Sequence, residues 1–172
     1  MQIAAIDNAI EVCRKHLDNT HSRNTEVEAF LTRYLVVMIC AEFEERCEAL
    51  VHDRARRVGD TYVAAFMQSA SAQLLRSIGV GELSGFLNRF GRDCKEKFQQ
   101  TVVNTDAHRA YDTIVSNRHD TAHRSGGGMT FDELASLYPK SLDVLQAFAD
   151  ALGLTLQGSK VAPGTGGSVS SS

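Results

Sequence analysis

The sequence predicts an all-α protein, an antiparallel bundle of four to five main helices with shorter helices between them. Apolar residues recur three and four positions apart along several stretches, which is the spacing of one buried helix face. Two Thr-x-x-Glu segments have the form of a capping box at a helix start. We find no run of alternating or β-branched residues bounded by turns and no Asn-Gly hairpin signal, so the sequence offers no candidate strand.

The first two helices are predicted from their apolar stripes. The first runs to about Asp18, and its inner residues are Ile3, Ile6, Ile10, Cys13 and Leu17. A capping box at Thr25 and Glu28 begins a long second helix, which runs to about Arg57 and stops before Gly59. Its predicted inner face consists of Val27, Leu31, Leu35, Met38, Phe43, Cys47 and Leu50.

The third helix is predicted to begin at Asp60 or Thr61 and to end before Gly79, which stands where a left-handed cap is expected. Its predicted inner face consists of Val63, Met67, Ala70, Leu74 and Ile78. Glycines at positions 81, 85 and 91 then interrupt the pattern, so one or two short helices are expected in this region. Their apolar residues are Leu83, Phe86, Leu87 and Phe90.

Two more helices are predicted in the last third of the chain. The first runs from about Asp106 to Arg124, and glycines 126–128 break it. Its inward residues are Tyr111, Ile114, Val115 and Ala122. A second capping box is expected at Thr130 and Glu133. The last helix is then expected to have Pro139 in its first turn, where the missing amide costs nothing, and to end at Gly153.

Length and charge limit the classes of function. The 172 residues can bury one core, so we expect a single domain over residues 1–153 and a flexible Gly/Ser-rich tail over 154–172. Eighteen Lys and Arg residues stand against 21 Asp and Glu residues, giving a formal net charge of -3. This balance excludes nucleic-acid binding through bulk electrostatics alone, so any RNA or DNA contact needs a local patch.

The cysteines and the hydropathy pattern predict a cytoplasmic protein without membrane association. The four cysteines, Cys13, Cys40, Cys47 and Cys94, form no C-x-x-C pair and are interpreted as small core residues of a reducing compartment. The N-terminus does not have the basic start and apolar run of a signal peptide. The longest apolar stretch, residues 35–41, is far shorter than the ~20 residues of a membrane span.

The densest group of ionisable residues is the segment Asn117-Arg118-His119-Asp120-Thr121-Ala122-His123-Arg124, at the end of a predicted helix. Side chains at a helix end beside a glycine loop can converge on a substrate while packing holds the rest of the helix. Arg118 and His123 are five residues apart, which on a regular helix separates them by roughly 140°. They can meet through the long arginine stem, a distorted last turn or a second chain.

This Arg-x-x-x-x-His segment, with a polar residue after the arginine, resembles the motif of the HEPN superfamily of helical bundles. The stretch CAEFEERCEAL around Glu44 and the pattern TIVSNRHDTAHR before a glycine loop are similar to the RiboL-PSP-HEPN branch. The resemblance covers roughly residues 25 to 152. It implies a metal-independent and cofactor-independent endoribonuclease whose active site forms between two copies of the motif in a homodimer. Such a protein would act on RNA in defence, stress response or a toxin system, with an antitoxin or regulatory protein as a further partner.

The resemblance also implies a role for each site residue. His123 would be the general base or acid that takes the proton of a ribose 2′-hydroxyl, and Arg118 would bind the phosphate. His119 would orient the motif or the phosphate, and Glu44 would hold Arg118 or a histidine through a charge-assisted hydrogen bond. The remaining polar residues of the segment are assigned supporting (Asp120) and substrate-binding (Arg124, Asn117) roles.

Three other interpretations stay open at this point. The first is that Arg118, His123 and Asp120 form only an ion-pair cluster at a helix end. The second is a catalytically inactive helical module that binds RNA or protein through the same cleft. The third is a metal-dependent phosphohydrolase that uses His119, Asp120 and His123, since the two histidines are four residues apart on one helix face.

Overall fold

The structure is a computed structural model that describes residues 2–76, 79–120 and 128–154, with only the backbone of residues 119 and 120. Within these ranges the chain forms helices and no strand, so the predicted all-α class is confirmed. The helices are α1 (Ala4–Asn19), α2 (Glu26–Arg56), α3 (Thr61–Leu74), α4 (Val80–Leu87), α5 (Arg92–Val102), α6 (Asp106–Asp120) and α7 (Phe131–Ala151), with a 3-10 turn at Asn88–Phe90. None of these helices is long and apolar enough to cross a bilayer.

The described helices surround one apolar core. The α6–α7 pair is the most extensive contact between helices, and α2 packs against both members of that pair. Helices α1 and α3 pack on α2, and α5 packs on α7. Leu154, the first residue of the predicted tail, is buried in this core, and residues 155–172 lie outside the described part of the chain.

The beginning of α2 differs from the predicted capping box. Thr25 is the N-cap, and its hydroxyl oxygen accepts the backbone N–H of Val27 at 3.2 Å. The buried Glu28 carboxylate instead accepts the backbone N–H of Asn24 at 2.6 Å and that of Phe131, at the start of α7, at 3.1 Å. Glu28 therefore satisfies donors at the N-terminal ends of two helices, because α7 begins beside α2.

The predicted inner faces of α2 and α3 are partly wrong. Val27 is exposed. Helix α2 has apolar residues on two sides, and a three-four spacing that begins at Val27 starts on the outer side instead of the core side. In α3, Val63 and Leu74 are exposed, whereas Ala64 and Ser71 are buried, so the buried face is displaced by one residue. Helix α3 packs on α2, and its outer side has apolar residues of its own, which obscures the pattern.

Two predictions about glycine and proline are also wrong. Gly79 has φ -79° and is the N-cap of α4, so it is not a left-handed cap of α3. Pro139 lies inside α7, which is one continuous helix from Phe131, because the capping box of Thr130 and Glu133 has already begun the helix. Gly153, with φ 71°, stands in the predicted place at the end of α7. Ile78, Ala122 and glycines 126 and 127 lie outside the described residues.

Candidate functional site

Arg118 of α6 and Glu44 of α2 meet in a side-chain ion pair. The Nη1 of Arg118 donates a hydrogen bond to Oε1 of Glu44. The arginine side chain is 30% exposed and the glutamate side chain 21% exposed, so water reaches both groups only in part. The contact that was expected between these two residues is therefore present, although it does not by itself assign either of them a catalytic role.

Packing between α2 and α6 positions this pair. The rings of Phe43 and Tyr111 stack with centroids 4.9 Å apart and planes 9° from parallel. Cys40 Sγ lies 4.0 Å from the carbonyl oxygen of Ile114. Residue numbers rise along one helix as they fall along the other, so the two helices are antiparallel. Because helical side chains lean towards the N-terminus of their own helix, Arg118 and Glu44 lean towards each other.

Two groups close to the pair stay protonated at neutral pH. Burial raises the pKa of the Cys40 thiol to about 12, although the Arg118 charge opposes the shift. Burial also raises the pKa of Tyr111, with smaller contributions from Cys47 and Cys40. Cys40 is therefore a neutral packing residue beside the site, since the nucleophile of cysteine chemistry is the thiolate.

Asn117, which was assigned a substrate-binding role, makes two hydrogen bonds with the backbone. Its Nδ2 donates to the carbonyl oxygen of Thr113 at 2.9 Å, and its Oδ1 accepts the N–H of Met129 at 3.4 Å. The second bond joins α6 to the segment that leads into α7. These contacts give Asn117 a structural function. Asn117 also lines a surface groove along α6, and its role in substrate binding stays a proposal.

An open groove of about 450 Å³ runs along the outer face of α6. Its lining residues are His108, Arg109, Asp112, Thr113, Ser116 and Asn117. His108 Nε2 and Asp112 Oδ2 are 3.1 Å apart, a contact that the sequence analysis did not identify. The four-residue spacing of a histidine and an aspartate on one helix is the signal that could have found it.

Both residues of this His–Asp pair are bound to backbone N–H groups. His108 Nδ1 accepts the N–H of Asn104 at 3.3 Å, so the neutral ring has its proton on Nε2, directed towards Asp112. Asp112 Oδ1 accepts the N–H of Val80, at the start of α4, at 2.8 Å. With both ring nitrogens engaged, His108 orients Asp112, which makes the contact with α4, and His108 is not our candidate for the general base.

The remaining predicted site residues lie at the edge of what the structure describes. His119 and Asp120 belong to the last turn of α6, and only their backbone is described. His123 and Arg124 lie outside the described residues. Among the residues whose side chains are described, no group of three or more His, Cys, Asp or Glu could hold a metal ion. The side chains of the alternative metal-binding set, His119, Asp120 and His123, are outside the part of the chain to which this statement applies.

Comparison with families gives one match. The profile of the RiboL-PSP-HEPN family aligns with residues 2–153, which includes every described helix and the whole Arg118–His123 segment. Comparison with curated proteins gave no significant match, and neither did comparison with solved structures. HEPN membership suggests a nuclease or RNA-binding role and is compatible with dimerisation. With most of its length matched and the predicted all-helical fold present, the chain belongs to the RiboL-PSP-HEPN family.

Proposed function

We propose that this protein is a metal-independent endoribonuclease of the HEPN type. The observation that carries the proposal is that Arg118, the first residue of the motif, is held against Glu44 in a chain that belongs to this family. A partly exposed guanidinium held by a second helix can meet a phosphate with little loss of side-chain freedom. This preorganisation is what electrostatic stabilisation of a developing phosphate charge requires.

Arg118 is proposed to bind the phosphate that is cleaved. Its planar guanidinium has five N–H donors and stays charged at every physiological pH. The contact with Glu44 engages Nη1, and a phosphate would be bound through the rest of the fork. Glu44 is thus a positioning residue, because it acts on the substrate through Arg118.

His123 is proposed to transfer the protons. It takes the proton from the ribose 2′-hydroxyl, the O2′ atom attacks phosphorus, and the bond from phosphorus to O5′ breaks. A protonated histidine returns a proton to O5′, so the products have a 2′,3′-cyclic phosphate and a 5′-hydroxyl. No cofactor or metal enters this scheme.

A second copy of the chain is proposed to complete the active site. Arg118 and His123 diverge by roughly 140° on a regular helix, so one motif is expected to act with another. His119 and Asp120 would orient the motif, and Arg124 and Asn117 would contact the flanking RNA. We propose cytoplasmic action in defence, stress response or a toxin system, with an antitoxin or regulatory protein as partner.

A catalytically inactive RNA- or protein-binding module is the second candidate. The same Arg118–Glu44 ion pair favours it, because a neutralised pair between two helices can have a purely structural role. A metal-dependent phosphohydrolase built on His119, Asp120 and His123 is the third candidate, and no described contact supports it.

The test is cleavage of end-labelled RNA by the purified full-length chain, with and without EDTA, beside DNA of the same sequence. We expect cleavage of RNA in both conditions and intact DNA, because DNA does not have the 2′-hydroxyl. A cyclic phosphate would be identified by product ends from which a phosphatase without kinase activity removes no phosphate until acid has opened the ring. Cleavage that stops in EDTA would support the phosphohydrolase, and RNA binding without cleavage would support the inactive module.

A further inference from the structure

An exposed apolar stripe runs along the outer side of α2. Its members are separated alternately by three and four residues: Val27, Phe30, Tyr34, Val37 and Ala41. Phe30 is 70% exposed and Tyr34 is 61% exposed, so two aromatic rings lie largely in water. The guanidinium of Arg33 lies 5.4 Å from the centre of the Phe30 ring. Glu44 stands three residues after Ala41, so the stripe leads to the candidate site.

The spacing of this stripe is that of a helix–helix seam. Apolar residues that repeat every 3.5 residues stay in register with a second helix lying alongside, whereas the core face of a single helix follows 3.6. The opposite side of α2 already packs on the core through residues such as Leu35, Ile39 and Phe43. The stripe is therefore a second apolar side that no described helix covers.

We propose that the stripe binds the same stripe of a second copy of this chain, with the two α2 helices antiparallel. The stripe has two kinds of position, one followed by the next member after three residues and one followed by it after four. In an antiparallel pair, each position of one kind faces a position of the other kind on the second helix. Phe30 then faces Ala41 of the partner subunit, and Tyr34 faces Val37 of the partner subunit. A large residue meets a smaller one in both layers, so the surface is complementary to itself.

The parallel arrangement is less favourable for the same residues. It would place Phe30 against Phe30 of the partner subunit, with no small residue to receive either ring. It would also stack Tyr34 on Tyr34 of the partner subunit and Val37 on Val37 of the partner subunit, so that residues of equal size meet in every layer. The antiparallel register pairs large residues with small ones instead, and it places Glu44 near Val27 of the partner subunit.

The apolar area agrees with what a stable dimer needs. Taking about 150–250 Å² for a complete aromatic side chain, the exposed parts of the stripe amount to roughly 400 Å² per chain. A standard interface buries about 800 Å² per partner, of which a little over half is apolar, or about 450 Å². The stripe thus supplies the apolar centre of such an interface, and the polar residues around it supply the rest.

The antiparallel register also places the motif helices together. The two-fold axis passes between positions 35 and 36 of α2, the midpoint of the Phe30–Ala41 and Tyr34–Val37 layers. Because α6 is antiparallel to α2 and Ile114 lies beside Cys40, the part of α6 after Ile114 approaches this axis. The shared active site rests on the proposed function, but the self-association does not.

The test is sedimentation equilibrium of the full-length chain from about 0.1 to 100 μM. We expect a wild-type dimer, and a dissociation constant that rises by on the order of 10²–10³-fold in Phe30→Asp/Tyr34→Asp, because buried aromatic residues are the strongest contributors to interfaces. Phe66→Asp is the matched control, since Phe66 of α3 is also 70% exposed and does not belong to the stripe. This variant should dimerise like the wild type, and thermal melts should show that all variants are folded.

A size exchange tests the register. Ala41→Phe alone should weaken the dimer by about 10-fold or more, because overpacking forces the facing rings apart. Phe30→Ala/Ala41→Phe should restore most of the affinity, because the large and small residues have changed places. A strict monomer, an unaffected Asp double variant, or the absence of rescue would each overturn the proposal. RNA cleavage by a monomer would overturn the shared site, whereas a dimer that does not cleave RNA would overturn only the proposed function.

Discussion

Arg118 and Glu44 join the last turns of α6 to the middle of α2 through a hydrogen bond between groups that lie 74 residues apart in the chain. The two side chains are mostly but not completely buried, so the pair is intermediate between a fully exposed and a fully buried ion pair. The Arg118 charge is therefore held in one orientation and is still accessible to a substrate. The pair can therefore serve both the packing of α6 and the recognition of a phosphate.

Arg118→Ala and His123→Ala should each reduce RNA cleavage by roughly 10²–10⁴-fold, because one removes a phosphate contact and the other the proton transfer. Initial rates on labelled RNA measure the effect. Arg46→Ala is the control, since Arg46 is also paired with a glutamate of α2, Glu42 at 2.7 Å, and both residues lie about 160° around the helix from Glu44. Full activity in His123→Ala would contradict the mechanism.

Glu44→Ala should lower the free energy of unfolding by about 1–2 kcal/mol, because Arg118 loses its described partner in a place that water reaches only in part. Glu44→Gln should cost less, because the amide oxygen can still accept the hydrogen bond. Urea denaturation measures both. Glu42→Ala, which breaks a more exposed pair with Arg46, should change the stability by less than about 1 kcal/mol.

Gly79 and Asp112 should be energetically coupled. A Cβ atom at position 79 would lie 2.9 Å from Asp112 Oδ1, closer than real Cβ contacts, so Gly79→Ala should destabilise the protein by about 1 kcal/mol. Asp112→Ala should itself cost about 1–2 kcal/mol, because the Val80 N–H loses its acceptor. In the Asp112→Ala background, Gly79→Ala should cost less.

A double-mutant cycle from urea denaturation measures this coupling. Gly85→Ala is the control, because Gly85 lies inside α4 and a Cβ there meets nothing within 4 Å. That change should stabilise the protein by about 0.5–1 kcal/mol. Strictly additive costs at positions 79 and 112 would mean that the close approach relaxes without strain.

Pro139→Ala should stabilise the protein by about 1–3 kcal/mol. Pro139 is exposed inside α7, where it has no N–H for the helix and its ring crowds the carbonyl four residues earlier. The stiffness of proline in the unfolded chain offsets part of this gain. A melting temperature that falls in Pro139→Ala would show that the proline shapes α7 for its packing.

Stability should fall as the pH rises above about 9. Burial raises the folded-state pKa of Cys40 from its ordinary 9.0 to about 12, so the protonated thiol stabilises the fold fully below pH 9 and progressively less between 9 and 12. The buried Cys47 shifts in the same direction. In Cys40→Ala the loss above pH 9 should be smaller by up to about 1.4 kcal/mol per pH unit, as urea denaturation at pH 8 and pH 10 would show.

The sequence predicts helices best where one side is apolar and the other polar. The stripe from Ile6 to Leu17 in α1 and the buried residues Tyr111 and Ile114 in α6 follow a single spacing, and both agree with the structure. Helix α3 is exposed along much of its surface and has apolar residues on several sides, so periodicity cannot identify its inner face. There the contact with α2 decides, and that contact involves residues distant in the chain.

The candidate site was predictable only through the resemblance. Glu44 stands among other glutamates of α2, and no local pattern distinguishes the one that meets Arg118. The roles of Glu28 and Asp112 were not predictable either. Each of these carboxylates accepts a backbone N–H of a helix that begins far away in sequence. Such contacts depend on where a second helix starts, which local spacing does not contain.

Two hydrogen bonds bracket the point where the chain enters α7. Asn117 accepts the N–H of Met129, and Glu28 accepts the N–H of Phe131. The start of α7 is thus fixed by α6 on one side and by α2 on the other. A helix start that two other helices hold cannot move by itself, so α2, α6 and α7 are expected to open as one cooperative unit.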